Sequence, residues 1–193
     1  MDEKRQEQSE PQPEEKKPLP SGSSGAYDWI QIIVTALVAC ILIFVFLGRT
    51  VGVKGSSMEA TLIEGDRLVI SNLFYTPKYG DIVVLRKDTF KDEPIIKRVI
   101  ATAGQTVNID FDAGVVYVDG VALKEPYTNT PTNLREDFEG EITVPEGCIF
   151  VMGDNRNRST DSRTASIGCV DTRYIIGKAL FRLWPIAKFG SIY

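Results

Sequence analysis

The stretch Gly114-Val-Val-Tyr-Val-Asp-Gly-Val-Ala-Leu123 places Asp119-Gly120 between two apolar runs. An Asp-Gly pair in this setting is the strongest short-range signal for a β-hairpin with a two-residue turn. Further short apolar runs lie on both sides, bounded by glycine, proline, asparagine or aspartate, as is typical of strands. These runs cover residues 67–72, 81–87, 95–102, 106–111, 141–144, 148–153 and 174–184, and the polar segment 124–140 is predicted to be a surface loop. We therefore predict a mainly β, antiparallel domain.

A longer apolar run precedes the predicted strands. Residues 29–47 contain Gln31 and Thr35 as their only distinctly polar side chains. As a helix the run would span about 28 Å, close to the ~30 Å hydrocarbon core of a bilayer. A buried core helix and a cleaved signal peptide are the alternatives. The run is too uniformly apolar for the first, and it exceeds the roughly 7–15 apolar residues of the second. We interpret it as a membrane anchor.

The anchor divides the chain into three predicted parts. Residues 1–26 are rich in Glu, Pro, Ser and Lys and are predicted to be a disordered polar tail. Residues 27–48 form the predicted transmembrane signal anchor. Residues 49–193 form the predicted β-rich domain.

The orientation of the anchor is read from the basic residues at its ends. Lys16 and Lys17 favour a cytoplasmic N-terminus, which would put the β-rich domain on the extracytoplasmic side. Arg49 and Lys54, at the other end, weaken this bias.

The composition excludes several kinds of site. The chain has 193 residues, no histidine and three cysteines. Without histidine, a Ser-His-Asp triad, a Cys-His dyad or an imidazole-based zinc site cannot form, and we predict no metal and no cofactor. Three cysteines cannot build a disulfide framework, and whether Cys148 pairs with Cys169 stays open. A net charge of −4 without a basic block argues against a nucleic-acid partner.

Two adjacent serines, Ser56 and Ser57, lie in the segment KGSSMEATL shortly after the anchor. If either is a nucleophile, its base must be a carboxylate, a tyrosine or an uncharged lysine. A lysine can serve near pH 7 only if apolar burial lowers its pKa by about 2–3 units. Lys97, in PIIKRVIA, has aliphatic neighbours on its own strand face and next to it in sequence. The same pattern also fits an edge-strand lysine that extends its amine into water.

A second polar segment, GDNRNRSTDSR at residues 153–163, contains no apolar side chain over eleven positions. A turn needs only about two to four such residues. Asp161 and Arg163 are two apart and share a face if the segment is extended, so we predict that they orient neighbouring groups rather than pair with each other. A solvated loop with Asx-turns is the alternative.

Four stretches occur in the order of the sequence boxes of type I signal peptidases, which are membrane-anchored serine proteases with a Ser-Lys dyad. SSMEATL (56–62) resembles the nucleophile box, in which the serine directly before methionine is Ser57. GDIVV (80–84) resembles the next box, KRVIATAGQTV (97–107) the lysine box, and GDNRNRSTDSR (153–163) the final box. The chain thus resembles this family over nearly its whole length apart from the N-terminal tail.

The resemblance implies roles for individual residues. Ser57 would be the nucleophile and Lys97 the general base, and an acyl-enzyme would form. Ser159 would hydrogen-bond the lysine amine and fix its direction. Asp161 and Arg163 would hold the loop that bears Ser159.

The resemblance also implies an architecture and a substrate class. The fold would be mainly β, an antiparallel β-sheet catalytic domain of the signal-peptidase/LexA-like kind, tethered by one N-terminal transmembrane helix. The activity would be removal of signal peptides from translocated precursor proteins by cleavage after an Ala-x-Ala pattern. The partners would be those precursors and the lipid bilayer, and the enzyme would be a single-pass, monomeric protein of the cell membrane.

The chain departs from the family's pattern near the nucleophile. Gly55 stands two residues before Ser57, where some members carry a serine whose hydroxyl helps to bind the oxyanion. The backbone N–H of Ser57, with Ser56 as a further candidate, would then bind the oxyanion. Four other positions differ from the boxes: Ala60, Ala101, Ala103 and Gln105.

Two other functions are also compatible with the sequence. One is a self-cleaving Ser-Lys protease of the repressor type, against which the anchor and the lack of a DNA-binding segment argue. The other is a non-enzymatic adaptor that displays loops to a partner. A solvated Lys97 distant from Ser57 would favour the adaptor.

Overall fold

The computed structural model describes residues 22–47, 49–86 and 93–193. Most of the predicted disordered tail, residues 1–21, lies outside these ranges. The elements are helix α1 (Gly22–Leu47) and strands β1 (Arg49–Gly52), β2 (Arg67–Ser71), β3 (Ile82–Leu85), β4 (Ile95–Thr102), β5 (Thr106–Asp110), β6 (Val115–Val118), β7 (Val121–Ala122), β8 (Ile142–Thr143), β9 (Cys148–Met152), β10 (Val170–Asp171) and β11 (Ile175–Trp184). Short 3₁₀ helices cover Arg156–Arg158, Thr172–Tyr174 and Ile186–Lys188.

Helix α1 is long and apolar enough to cross a membrane. Its window Gly25–Leu42 has a mean hydropathy of 1.8, and none of it is buried inside the protein. The helix begins at Gly22, inside the segment that the sequence assigns to the tail, and ends at Leu47. Thr35, one of its two polar residues, donates its hydroxyl hydrogen to the carbonyl of Gln31 at 2.8 Å. That bond satisfies the hydroxyl within the helix, as an apolar environment requires.

The strands form two antiparallel sheets, which confirms the predicted fold class. Seven strands follow the order β1-β2-β11-β3-β4-β9-β10, and four follow the order β7-β6-β5-β8. The last long strand, β11, inserts between β2 and β3 and so joins the ends of the domain in one sheet. Strand β4 agrees with its predicted range, 95–102. The sequence missed β1 and β10, which are only four and two residues long and lie at the outer edges of the sheet.

The predicted hairpin is confirmed. Val118 pairs with Val121 across the turn, and Asp119 and Gly120 have φ angles of 52° and 76°. Positive φ at both central residues is the requirement of a type I′ turn, whose twist matches that of the flanking strands.

The segment 124–140 contains no strand, as predicted, but it is not wholly a surface loop. Phe138 is only 2% exposed and packs edge-on against Phe111 and Phe150, with ring centroids 5.9 and 6.0 Å apart. These aromatic contacts belong to a core cluster that also takes side chains from β4, β5, β6 and β9. A single aromatic residue in a polar stretch carries no periodic signal, so the sequence pattern did not reveal this burial.

Cys148 and Cys169 are free thiols. Both are half-buried against the same core cluster. Burial raises the pKa of the Cys169 thiol, which favours its unreactive protonated form.

Strand β4 has one free edge that matters for the site. Strand β3 pairs with Ile95–Arg98 on one side, whereas β9 pairs on the other side only with Arg98–Thr102. Within the described residues, the stretch Ile95–Lys97 therefore has a strand neighbour on one side alone. Its second edge is open to a further extended chain.

Gly114 and Gly120, which lie before and after strand β6, allow a matched test of packing. Gly114 and Gly120 have φ angles of 71° and 76°, and only at Gly114 would an added Cβ meet another residue, with Pro131 Cβ 2.3 Å away. We expect both Gly→Ala variants to lose about 1 kcal/mol from the left-handed backbone. Gly114→Ala should lose a further 1–3 kcal/mol, roughly, from overpacking. Urea unfolding followed by circular dichroism measures the difference, and equal losses in the two variants would contradict this packing account.

Candidate active site

The segment that carries the two serines follows β1, and buried apolar side chains fix the part that comes after the serines. Met58 and Leu62 are buried, 2% and 0% exposed, in the core cluster beneath the seven-stranded sheet. Gly55, with a φ of +73°, turns the backbone before the serines. Ser57 is half-buried between these two fixed points. The turn at Gly55 before Ser57 and the buried Met58 and Leu62 after it hold its position.

Lys97 lies on β4 and reaches the serine. Its Nζ is 2.8 Å from Ser57 Oγ and also donates to the Ile96 carbonyl at 3.2 Å. The lysine is only 4% exposed, so the alternative of an amine extended into water is wrong. A solvated Lys97 distant from Ser57, which would have favoured a non-enzymatic adaptor, is likewise not observed.

The buried position changes the acidity of the Lys97 amine. Burial lowers its pKa to about 8, because the charged ammonium loses its hydration. The carboxylates of Asp161 and Asp154 act in the opposite direction, and the Arg163 guanidinium adds to the lowering. About a tenth of the amine is therefore neutral at pH 7, and this neutral form can accept a proton.

The carboxylates of Asp154 and Asp161, which act on the Lys97 amine, each form a buried ion pair with an arginine. Arg98 donates from Nε and Nη2 to Asp154 at 2.8 and 2.7 Å. Arg163 donates from Nε and Nη2 to Asp161, both at 2.9 Å. All four side chains are at most 4% exposed. Neither carboxylate is left to pair with Lys97.

The prediction that Asp161 and Arg163 do not pair with each other is wrong. It assumed an extended segment, but the chain turns here, and the Thr164 N–H donates to the Asp161 carbonyl at 2.9 Å. The turn brings the two side chains together. The rest of the Arg163 guanidinium donates to the carbonyls of Arg156 and Leu134, at 2.6 and 2.8 Å.

The loop 153–163 is a buried part of the domain rather than a solvated one. Its buried polar side chains are Asp154, Arg156, Ser159, Asp161, Ser162 and Arg163. Arg156 forms a bidentate ion pair with Glu125 and donates to Thr132 Oγ1 at 3.0 Å. The loop is thus tied to the segment 124–140, and charge-assisted bonds replace the missing apolar contacts.

Ser159 is buried close to the nucleophile segment. Among the described residues its Oγ has no hydrogen-bond partner, so the bond to the Lys97 amine that the resemblance implies is not formed. A Cβ added at Gly153 would lie 2.3 Å from Ser159 Oγ and 2.4 Å from the Ser57 carbonyl oxygen. The loop and the nucleophile segment therefore meet at Gly153, where only glycine fits.

Asn155 is a site residue that sequence reasoning did not single out. Its backbone N–H donates to the Ser57 carbonyl at 3.0 Å, and its Nδ2 donates to the Ser56 carbonyl at 3.1 Å. Thr61 donates its hydroxyl to Asp154 one residue earlier. These bonds join segments more than ninety residues apart in the chain. The signal was the position of Asn155 inside the polar run 153–163, which does not specify a partner.

A cleft of about 410 Å³ opens beside Ser57 and Lys97. One wall is the nucleophile segment, residues 52–58, and the other is residues 93–97 with the free edge of β4. Among the described residues, the Ser57 N–H meets no acceptor, and no group of three His, Cys, Asp or Glu residues could hold a metal ion. A hydroxyl bonded to a buried amine, with a backbone donor beside it, is an arrangement suited to acyl transfer.

Comparison with known proteins places this geometry in context. Residues 26–184 match the family model of signal peptidase, peptidase S26. The chain is 36% identical over 188 residues to a probable signal peptidase I-1 of Synechocystis, and the match covers 92% of each protein. It is also 36% identical to signal peptidase I of Bacillus licheniformis, covering 82% of this chain and 89% of the other. A crystal structure of a signal peptidase I from Enterococcus faecalis aligns with a TM-score of 0.44 at 30% identity, covering 54% of this chain and 97% of the other.

The burial of Lys97 predicts how stability depends on pH. The folded-state pKa of Lys97, about 8, lies below the ordinary lysine pKa of 10.5. Below pH 8 the lysine is charged in both states, and the folded state carries a cost of about 3 kcal/mol. This cost disappears as the pH rises from 8 to 10.5, because the folded lysine releases its proton first. We expect Lys97→Met to raise the free energy of unfolding at pH 7, and to do so by about 2 kcal/mol less at pH 10.

Urea unfolding at the two pH values measures this difference. Lys124→Met, the same substitution at an exposed lysine, is the control and should show no such pH dependence. An equal effect of Lys97→Met at both pH values would mean that the amine is not desolvated.

Proposed function

The chain belongs to the signal peptidase family, peptidase S26, and we propose that it removes signal peptides from precursor proteins by Ser-Lys catalysis. Ser57 is the nucleophile and Lys97 the general base. The observation that carries this proposal is the 2.8 Å contact between Ser57 Oγ and a Lys97 amine that is buried and free of ion pairs among the described residues. A general base must lie within this reach of the proton that it accepts.

The reaction proceeds in two halves. Neutral Lys97 accepts the Ser57 hydroxyl proton while Oγ attacks the scissile carbonyl. The resulting ammonium then gives the proton to the leaving amine, the peptide bond breaks, and the signal peptide stays on Ser57 as an ester. In the second half Lys97 takes a proton from water, the hydroxide attacks the ester, and the proton returns to Ser57 as the carboxylate leaves.

The oxyanion is stabilised mainly by backbone. The Ser57 N–H, which has no acceptor among the described residues, is one donor to the oxyanion. Ser56 is the candidate for a second donor. Gly55 offers no hydroxyl, and a missing donor costs roughly 2.7–4 kcal/mol of transition-state stabilisation. Asn155 limits that loss, because its two bonds to the serine carbonyls hold the backbone donors in place.

Three residues of the loop 153–163 support the base. The buried hydroxyl of Ser159, free of other partners among the described residues, is available to direct the Lys97 amine during turnover. Asp161 accepts the Gly153 N–H at 3.0 Å and is itself held by Arg163, which keeps the loop against the nucleophile segment. These are positioning roles, exerted through Lys97 and Ser57.

The substrate adds to the sheet as an extended chain. The free edge of Ile95–Lys97 and the segment 52–55 form two backbone walls for such a strand. Cleavage follows an Ala-x-Ala pattern, because small side chains let the peptide backbone approach the dyad closely. Shallow apolar contacts discriminate by only about 1–3 kcal/mol per methylene group, so recognition also depends on the extended backbone.

Helix α1 anchors a monomeric enzyme in the cell membrane. The N-terminus is cytoplasmic and the β-rich domain extracytoplasmic. The apolar window Gly25–Leu42 supports the anchor. Because the precursor is held in the same bilayer, anchoring raises its effective concentration at the enzyme.

Variants of the dyad test the proposal. Ser57→Ala and Lys97→Ala should each abolish processing of a membrane-held precursor, assayed with full-length protein in lipid vesicles. Each variant should retain the circular dichroism spectrum of the folded protein. Ser56→Ala is the matched control and should keep most activity, because its neighbour supplies the nucleophile. Loss with Ser56→Ala and normal processing by Ser57→Ala would show that the nucleophile is the other serine.

The activity should also fall at acid pH. Since burial lowers the pKa of Lys97 to about 8, kcat/KM should decrease tenfold per pH unit well below that value. Asp161→Asn should shift the midpoint to lower pH, because the carboxylate favours the charged amine. Asp171→Asn, at a half-buried residue that pairs with the exposed Arg173 and does not line the cleft, is the control and should leave the midpoint unchanged. A profile that stays flat between pH 6 and 9 would exclude Lys97 as the base.

A further inference from the structure

One ion pair joins the two walls of the cleft. Lys54 Nζ lies 2.6 Å from Glu93 Oε1, and both residues line the cleft that contains Ser57 and Lys97. Their side chains are 72% and 61% exposed, so the pair lies at the mouth of the cleft rather than in the core. The catalytic steps above make no use of either residue.

The distance of this pair from the dyad corresponds to a definite substrate residue. Lys54 lies three residues before Ser57, and Glu93 lies four residues before Lys97. The stretch from Glu93 to Lys97 runs into the extended residues of β4, and at about 3.3 Å per residue it places Glu93 at most roughly 13 Å from Lys97. The turn at Gly55 shortens the path from Lys54 to Ser57. An extended peptide that has its scissile bond at Ser57 would bring its third or fourth residue to this position.

The part of the substrate in the cleft is the acyl part. The amine product leaves after the first half-reaction, whereas the acyl part must stay bound until water releases it. The walled cleft is the site that can hold it. The residue beside Lys54 and Glu93 is therefore on the N-terminal side of the scissile bond. The third residue has to be small under the proposed Ala-x-Ala pattern, which leaves the fourth to be selected by charge.

We propose that Lys54 and Glu93 form the subsite for the fourth residue before the scissile bond and set its charge preference. The inference rests on the proposed function. In the intact pair the two charges cancel, and the subsite accepts uncharged residues and charged residues of either sign with little distinction. An acidic substrate residue binds Lys54 only by displacing Glu93, and a basic one binds Glu93 only by displacing Lys54. Removing either partner leaves a single charge and gives the subsite a preference.

Peptide cleavage tests this arrangement. Three peptides carry the same Ala-x-Ala cleavage sequence, with serine, aspartate or lysine as the fourth residue before the scissile bond. Full-length enzyme should cleave all three with kcat/KM values within about twofold, because the pair is exposed and its charges cancel. Glu93→Gln should favour the aspartate peptide over the lysine peptide by about fivefold. Lys54→Met should reverse this preference by a similar factor.

Further readouts separate a binding role from a general disturbance. The changes should lie in KM rather than kcat, because the contact is the same in the ground state and the transition state. They should shrink at high salt, as expected of exposed charges. The acid limb of the pH profile should stay where it is. Arg173→Met, which breaks an exposed ion pair outside the cleft, is the matched control and should not alter the preference.

Three results would overturn the inference. The first is an unchanged preference in both variants, and the second is a shift in the same direction in both. The third is an equal shift when the charged residue is placed after the scissile bond. Failure of the wild-type enzyme to cleave the serine peptide would overturn the proposed function and this inference together. Cleavage without any charge preference in the variants would overturn the inference alone.

Discussion

The site depends on the burial of the Lys97 amine next to the Ser57 hydroxyl, and the surrounding residues make this contact possible. Lys97 can bond to Ser57 as a base only if it is neutral, and it is neutral only where water is excluded and no carboxylate is free to pair with it. Two carboxylates are nevertheless buried nearby. Arg98 and Arg163 bind them in bidentate pairs, so their pull on the lysine is partly offset.

These arginine pairs also build the loop 153–163. A segment without apolar side chains gains little from hydrophobic burial, and here it is held by charge-assisted bonds instead. Arg163 binds Asp161, the Arg156 carbonyl of the loop and the Leu134 carbonyl of the segment 124–140. Arg156 binds Glu125 in that same segment. Asn155 then fastens the backbone of both serines. The loop whose arginines bind the carboxylates near Lys97 thus also fixes the position of the lysine's hydroxyl partner.

Local patterns predicted most of the sheet. The Asp119-Gly120 turn depends on the φ preferences of two neighbouring residues, and β4 depends on a short run rich in β-branched residues, so both are visible in a few residues. The strands that were missed, β1 and β10, are short edges whose pairing comes from neighbours distant in sequence. Phe138 was missed for the same reason, since its partners lie on other elements.

By itself the sequence determined which chemistry was available. The absence of histidine left a carboxylate, a tyrosine or a lysine as the candidate base, and the resemblance of the ordered boxes selected Ser57 and Lys97. Tertiary structure alone decided that these two meet at 2.8 Å across forty residues of chain, that Asp161 pairs with Arg163 in a turn, and that Lys54 meets Glu93 across the cleft. The physical reason is that composition and spacing constrain local conformation, whereas burial, pKa and the pairing of charges depend on which distant segments the sheet brings together.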